Sequence, residues 1–142
     1  MEKEIREYQQ LGATVIRQCV GVDALAKLSR AIEAEIHSPG PFYHGYRSEE
    51  GRGSFHGNLR LWEHDSIFRE FCLASQLPQL AAEFLNSQRV NLLYDQLFVK
   101  EPGTPNRTRW HNDHPYWPIR GWQVLSFWIA LYPVTCESGA LE

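Results

Sequence analysis

The sequence predicts an α+β fold in which helices come first and strands follow. In the first half, apolar residues recur at intervals of three and four, as on one face of a helix. In the second half, two segments alternate between apolar residues and polar or aromatic ones, as strands with two different faces do. This order favours helices gathered beside an antiparallel sheet, and residues 1–142 suffice for a single domain with an ordinary core.

Composition and charge narrow the classes of protein to consider. A hydrophobic content of 43% and an aromatic content of 13% indicate a globular chain rather than a disordered one. The net charge of -3 predicts no nucleic-acid partner and no binding to an anionic membrane. The charged start, the lack of a membrane-length apolar run and three widely spaced cysteines predict a cytoplasmic protein with reduced thiols and no signal peptide.

The first predicted elements are two helices with a short strand between them. Residues 2–10 form a charged helix that ends near Gly12, because glycine suits the left-handed residue after a helix. Residues 13–17 are β-branched at their centre and predict the strand. Asp23 is the predicted N-cap of the second helix, which stops at residues 38–41. Its apolar face is formed by Leu25, Leu28, Ile32 and Ile36.

Residues 38–58 show no period and are rich in Gly, Pro, Tyr and His. A segment of that length without structure of its own is usually functional or mobile, so we predict an irregular loop of one of these two kinds. His44 and His56 in this loop either contact a substrate or metal or are solvated loop histidines, and both interpretations stay open. Two short helices then follow, with Asp65 as an N-cap and Pro78 in a first turn.

Residues 91–100 and 123–132 are the two predicted long strands. Each has one apolar face and one face that mixes polar or small residues with aromatic ones. Such a mixed face is typical of a cavity wall, although an exposed sheet edge gives the same pattern for the first strand. The mixed faces consist of Tyr94, Gln96, Phe98 and Lys100 in the first strand and of Ser126, Trp128, Ala130 and Tyr132 in the second.

Between these strands lies the sequence His111-Asn112-Asp113. On an extended strand, side chains two residues apart point the same way, so the imidazole and the carboxylate can bind one ion. They supply two of the three ligands of the facial triad that leaves positions of Fe(II) open. A strand end with a solvated Asp and an aromatic-packed His is the other interpretation. His114 follows directly and is expected to point to the opposite strand face.

Four blocks of sequence, taken in order and spacing, resemble the phytanoyl-CoA dioxygenase family. The blocks are residues 95–103, 110–118, 125–131 and 137–141. The resemblance implies a double-stranded β-helix, or jelly roll, with helices packed outside it. It also implies a dioxygenase that depends on Fe(II) and 2-oxoglutarate and oxidises a C–H bond of a small-molecule substrate, such as an acyl thioester or another metabolite.

The resemblance also assigns roles to individual residues. It implies that His111 and Asp113 are iron ligands and that Trp128 borders the 2-oxoglutarate site. Gln96 and Lys100 become candidates for the co-substrate or substrate wall, and an ordinary strand-end cation is the alternative for Lys100. The remaining substrate candidates are Tyr94, Trp117 and Ser126.

The sequence departs from the family after residue 141. In the family, the Gly-Ala-Leu turn leads into a Gly-Ser-His motif with the distal iron ligand and then to an Arg that binds the far carboxylate of 2-oxoglutarate. We therefore expect an incomplete jelly roll that lacks its C-terminal strands, binds iron weakly and turns over little. A catalytically inactive family remnant or binding module, and a zinc-dependent or cupin-like metal protein, are the alternative functions.

Overall fold

The computed structural model describes residues 1–47, 53–104 and 107–141, and there it forms helices packed on one small sheet. This confirms the α+β class. The four α-helices are α1 (Glu2–Leu11), α2 (Val22–His37), α3 (Ser66–Ala74) and α4 (Leu77–Phe84). The three strands are β1 (His44–Arg47), β2 (Ser54–Leu59) and β3 (Gln96–Lys100). Short 3-10 turns lie at Leu61–Glu63, His114–Tyr116 and Cys136–Ser138.

Local signals at the ends of the helices are confirmed by the structure. Gly12 ends α1 in the left-handed region with φ 80°, and its N–H donates to the carbonyl of Tyr8 over 2.8 Å. Asp65 caps α3, because its Oδ1 accepts from the N–H groups of Ile67 at 2.7 Å and Phe68 at 3.0 Å. Pro78 lies in the first turn of α4, where its missing N–H costs no helical hydrogen bond.

Two predictions near the start of the chain are wrong. Helix α2 begins two residues earlier than predicted, so Gly21 is its N-cap and Asp23 lies in its first turn. The carboxylate there still interacts favourably with the positive end of the helix dipole. Residues 13–17 form no strand, since an extended segment becomes a strand only by hydrogen bonding to a neighbour, and these residues pair with no other part of the described chain.

The predicted irregular loop at residues 38–58 is also largely wrong, because β1 and β2 lie within it. They pair antiparallel, with Tyr46 opposite Phe55, while residues 48–52 of that segment lie outside the described residues. Glycines in both strands interrupt the alternation of side chains by which a strand is recognised in a sequence. A Cβ on Gly57 would lie 2.3 Å from the His44 ring, so the glycine leaves room for a side chain of the neighbouring strand.

The sheet has the order β1-β2-β3 and is antiparallel throughout. One face packs against the helices, where Leu97 is buried and Val99 is half-buried, as the predicted apolar face of this strand requires. The buried core cluster is formed by Leu28, Ala31, Ile32, Leu61, Phe68 and Leu97. The other face of the sheet is exposed at Gln96, Phe98 and Lys100.

The strand predictions for the second half are only partly confirmed. The strand predicted at residues 91–100 is shorter and begins at Gln96. Residues 123–132 form no strand in the described part of the chain, because no neighbouring segment there hydrogen-bonds to them. The predicted alternation between buried and exposed side chains is kept in part, because Leu131 packs against the core whereas Trp128 and Tyr132 are exposed. Among the described residues, no helix is long and apolar enough to cross a membrane.

Candidate metal site

The structure brings His111 and Asp113 together, with Nε2 of the imidazole 3.1 Å from Oδ1 of the carboxylate. The prediction that an extended strand holds them is wrong, because residues 107–112 belong to no strand and Asp113 has helical dihedral angles, φ -69° and ψ -33°. The chain turns at Asp113, and this turn points the carboxylate toward the imidazole. Both side chains are about half exposed, at 46% and 49%.

The second ring nitrogen of His111 determines how the first one meets Asp113. Nδ1 lies 2.7 Å from the carbonyl oxygen of Arg109, and because a carbonyl only accepts, Nδ1 carries the hydrogen and donates it. In a neutral imidazole, Nε2 then presents its lone pair to an acceptor carboxylate. At 3.1 Å the pair is either joined by a shared proton or placed as two ligands of one metal ion.

The geometry of the pair fits a metal. Metal-binding histidines usually donate their other N–H to a carbonyl or carboxylate, as His111 does to Arg109. In an octahedral site with bonds of about 2.1 Å, neighbouring donor atoms lie about 3.0 Å apart. The separation of 3.1 Å between His111 Nε2 and Asp113 Oδ1 is close to this value. The two side chains therefore fit two adjacent ligand positions of one ion.

A short hydrogen-bonded turn fixes the backbone at Asp113. The side-chain oxygen of Asn112 accepts from the N–H of His114 over 2.9 Å, and the carbonyl of Asp113 accepts from the N–H of Tyr116 over 2.9 Å. Pro115 suits this 3-10 turn because its φ is already fixed. The residue types between Asn112 and Tyr116 thus hold the carboxylate where His111 can face it.

The third ligand is not supplied by any cluster in residues 1–47, 53–104 and 107–141, where no three His, Cys, Asp or Glu side chains come close enough to hold an ion. His114 contacts other residues instead. Its Nε2 lies 2.9 Å from the carbonyl oxygen of Gly121, and its ring stacks on that of Trp122 with centroids 5.2 Å apart. Within the described residues, the His111 and Asp113 pair therefore has no third candidate ligand beside it.

The predicted co-substrate and substrate residues lie near this segment to different degrees. Lys100 donates from Nζ to the hydroxyl of Thr108 over 2.8 Å, three residues before His111. The indole N–H of Trp117 donates to the Tyr94 hydroxyl over 2.8 Å, which brings two predicted substrate residues together. Gln96, Ser126 and Trp128 are exposed. No observation assigns these residues to a ligand, and their roles stay predictions.

Sequence reasoning missed a hydrogen-bonded chain through His56. Its Nδ1 lies 2.8 Å from the Tyr43 hydroxyl and its Nε2 lies 3.2 Å from Oε1 of Glu101, whose other oxygen accepts from the N–H of Ser54 over 2.8 Å. The hydrogen bond from His56, followed by that from the Ser54 N–H, lowers the pKa of Glu101. The pairing of β1 with β2 brings Tyr43 to His56, and the pairing of β2 with β3 brings Glu101 to it, so no sequence spacing could have found the network.

A second polar network is buried between the helices and the sheet. Oε1 of Glu35 accepts from the side-chain amide of Asn58 and, over 2.6 Å, from the N–H of Gly40. Asn58 is fully buried, with 0% of its surface exposed, so the carboxylate satisfies a donor that water cannot reach. His64 Nε2 lies 3.9 Å from the other oxygen of Glu35. The network ties α2 to β2.

Burial also changes the titration of Asp95 and Cys72. Desolvation raises the pKa of Asp95, although its Oδ1 accepts from the N–H of Trp62 over 3.2 Å. Burial, and secondarily the charge of Asp95, raises the pKa of the Cys72 thiol to about 12. Cys72 is therefore a protonated thiol at neutral pH.

An open cleft of about 370 Å³ lies at residues 91–93 and 119–124. Its lining includes neither His111 nor Asp113, and none of the predicted co-substrate residues. Leu92, Leu93 and Trp122 give it an apolar wall, and Arg120 gives it one cation. Since a site must hold its substrate next to the reacting centre, we assign the candidate site to the His111 segment and not to this cleft.

An imidazole and a carboxylate at the spacing of adjacent ligands are compatible with a mononuclear metal site. The model of the phytanoyl-CoA dioxygenase family matches residues 8–142, so the chain belongs to this family. The match confirms the resemblance noted in the sequence, and the family places the chain in the superfamily of Fe(II)- and 2-oxoglutarate-dependent oxygenases. Comparisons with curated proteins and with solved structures find no match.

Proposed function

We propose that His111 and Asp113 are two iron ligands of an oxygenase that oxidises a C–H bond of a small metabolite or acyl thioester. The observation that carries this proposal is the 3.1 Å approach of His111 Nε2 to the Asp113 carboxylate while Nδ1 is held by the Arg109 carbonyl. Family membership supports the reaction class. A zinc-dependent or cupin-like protein would use the same two residues, so the identity of the metal has to be tested.

Each residue in this proposal has a task. The Arg109 carbonyl orients the His111 ring, and the turn at Asp113 aims the carboxylate at the same point. When bound, Fe(II) would let dioxygen oxidise the substrate C–H bond to C–OH while 2-oxoglutarate is converted to succinate and carbon dioxide. Lys100 is the proposed cation for a carboxylate of 2-oxoglutarate, with Gln96 and Trp128 bordering it. Tyr94, Trp117 and Ser126 are proposed for the substrate wall.

We also propose that the three-stranded sheet belongs to a jelly roll. Two features of the described residues support this: the sheet is antiparallel throughout, and helices pack against one face while β3 is exposed on the other. In a jelly roll, a second sheet covers the inner face of the first, and the ligand site lies between them. The exposed face of β3, with Gln96, Phe98 and Lys100, is the proposed inner face.

Metal titration of the chain tests the proposal. We expect calorimetry without oxygen to detect weak binding of one Fe(II), strengthened by 2-oxoglutarate and lost in both His111→Ala and Asp113→Ala. His114→Ala is the matched control and should bind like the wild type, because His114 is engaged with Gly121 and Trp122. We expect little or no succinate with Fe(II), ascorbate and 2-oxoglutarate, because the described residues bring no third candidate ligand to the pair.

Other results would favour the alternatives. Stoichiometric zinc that 2-oxoglutarate leaves unperturbed would support a zinc-dependent or cupin-like protein. Identical metal binding by the wild type and the His111→Ala variant would support an inactive remnant or binding module. Rapid succinate release would contradict the expectation that this chain turns over little.

A further inference from the structure

Three aromatic rings form a continuous row across the exposed face of the sheet, one ring from each strand. The rings of Tyr46 in β1 and Phe55 in β2 are stacked, with centroids 5.3 Å apart and an interplanar angle of 24°. The ring of Phe98 in β3 lies 6.0 Å from that of Phe55, tilted by 38°. Aromatic rings attract each other at these separations, so the row is a stable feature of the sheet. We call these three residues the aromatic row.

Strand register explains why the rings share a face. Residues directly opposite each other in antiparallel strands point to the same side. Tyr46 pairs with Phe55, and Phe55 pairs with Lys100, so the row and the Lys100 side chain share one face. Gly57 pairs with Phe98, and because it has no side chain it leaves the space beside that ring to His44.

This face differs from the helix-covered face in both exposure and chemistry. Phe98 is 56% exposed and Tyr46 is 43% exposed, whereas Leu97 on the opposite face is 7% exposed. Polar side chains flank the row, with Lys100 opposite Phe55 and Gln96 opposite Leu59. Apolar rings with a few polar groups beside them are typical of a small-molecule site.

The row is also connected to the candidate metal site. Lys100 shares the face of the row, and its Nζ donates to the hydroxyl of Thr108 over 2.8 Å. Thr108 precedes His111 by three residues. One end of the aromatic face thus borders the segment that carries the proposed iron ligands.

We propose that the substrate carries a flat aromatic or conjugated group that stacks on Tyr46, Phe55 and Phe98. This inference rests on the proposed function, since it places that group on the face next to the proposed iron site. Rings stacked on a flat group gain from both area and ring alignment, whereas a saturated group of equal size gains only from area. The aromatic row therefore favours a substrate group that is flat as well as apolar.

A pair of probes with equal charge and similar size separates flatness from apolar character. The probes are 2-naphthoate and decahydro-2-naphthoate, and calorimetric titration of the chain compares their affinities. We expect 2-naphthoate to bind several-fold more tightly. Phe98→Leu should weaken its binding by between about twofold and tenfold while leaving the saturated probe nearly unchanged. Tyr132→Leu, which alters an aromatic residue that is 65% exposed outside the sheet, should leave both affinities unchanged.

Several results would overturn the inference. These are equal affinity for the two probes, no binding of either probe, and an equal loss in Phe98→Leu and Tyr132→Leu. Tyr46→Leu provides a second variant, and far-UV circular dichroism of each variant checks that it is folded. Fe(II) titration of the same samples separates the two proposals. Iron binding that needs His111 without discrimination between the probes contradicts only the substrate class, whereas discrimination without iron binding contradicts only the oxygenase.

Discussion

Replacing Glu35 should destabilise the fold more than any exposed change on the same helix. Its carboxylate accepts from the amide of Asn58, which has no access to water, and from the Gly40 N–H at 2.6 Å. In Glu35→Ala both donors lose their acceptor, and each buried donor left unsatisfied costs about 1 to 3 kcal/mol. Gly40 is only half-buried and can recover part of its loss by bonding to water. We therefore expect the free energy of unfolding to fall by about 2 to 4 kcal/mol.

Two further variants isolate the contribution of the hydrogen bonds. Glu33→Ala changes an exposed residue of the same helix and should alter stability by less than about 0.5 kcal/mol. Glu33→Ala and Glu35→Ala both replace Glu with Ala, so they gain the same helix propensity. Subtracting the stability change of Glu33→Ala from that of Glu35→Ala therefore leaves the contribution of the Glu35 contacts. Glu35→Gln keeps a side-chain oxygen as acceptor and should cost less than Glu35→Ala. Urea unfolding followed by circular dichroism measures all three. Equal losses in Glu35→Gln and Glu35→Ala, or a loss below about 1 kcal/mol in the latter, would refute this account of the network.

Four other changes test further parts of the structure. Leu61→Ala should lower the free energy of unfolding by about 3 kcal/mol, because this core side chain is 0% exposed; a loss below about 1 kcal/mol in urea would argue against the core as described. Burial raises the pKa of Asp95, so wild-type stability should fall as pH rises through that pKa; Asp95→Asn should abolish this part of the pH dependence, and identical profiles would contradict the burial of the charge. Hydrogen bonding lowers the pKa of Glu101, so wild-type stability should fall on acidification through that pKa; in urea midpoints measured between about pH 5 and pH 3, Glu101→Gln should lose less stability than the wild type. Lys100→Met should weaken 2-oxoglutarate binding to the iron-loaded chain by about tenfold, with Lys100→Arg as the control; an unchanged affinity would make Lys100 an ordinary strand-end cation.

The sequence predicted those elements whose determinants are local. Asp65 caps α3 because its side chain reaches N–H groups two and three residues ahead, and Gly12 ends α1 because of its own φ. The apolar stripe of α2 likewise lies within one element, and Leu28 and Ile32 are buried as the periodicity predicts. Such interactions can be inferred from neighbouring residues alone.

Strands were predicted less well because pairing between distant segments defines them. β1 and β2 are rich in glycine and histidine, and their identity depends on a register that places Gly57 under the His44 ring. Conversely, residues 123–132 have a clear alternation and yet pair with nothing in the described chain. Alternation predicts which side chains share a face, whereas backbone hydrogen bonds require a neighbour that the pattern does not identify.

The prediction for the metal pair combined a correct proximity with an incorrect local structure. His111 and Asp113 are two residues apart, and side chains at that spacing can approach each other either on a strand or across a turn. In the structure they meet across a turn. The Asn-Asp-His-Pro sequence carried that signal, because Asn112 bonds to the N–H two residues ahead and Pro115 suits a 3-10 turn. The pair is about half exposed, so its own contact adds little to the stability of the fold.

The two faces of the sheet have different physical roles, and this separates stability from ligand binding. The helix-facing side carries two buried residues: Asn58, which is hydrogen-bonded, and Leu97, which packs in the core. Substitutions there should therefore alter the free energy of unfolding. The opposite side carries Phe98, which is more than half exposed and adds little core burial. Adjacent residues of one strand, Leu97 and Phe98, therefore report on different properties. A substitution of Phe98 that changed stability as much as one of Leu97 would place the aromatic row in a core instead of a binding face.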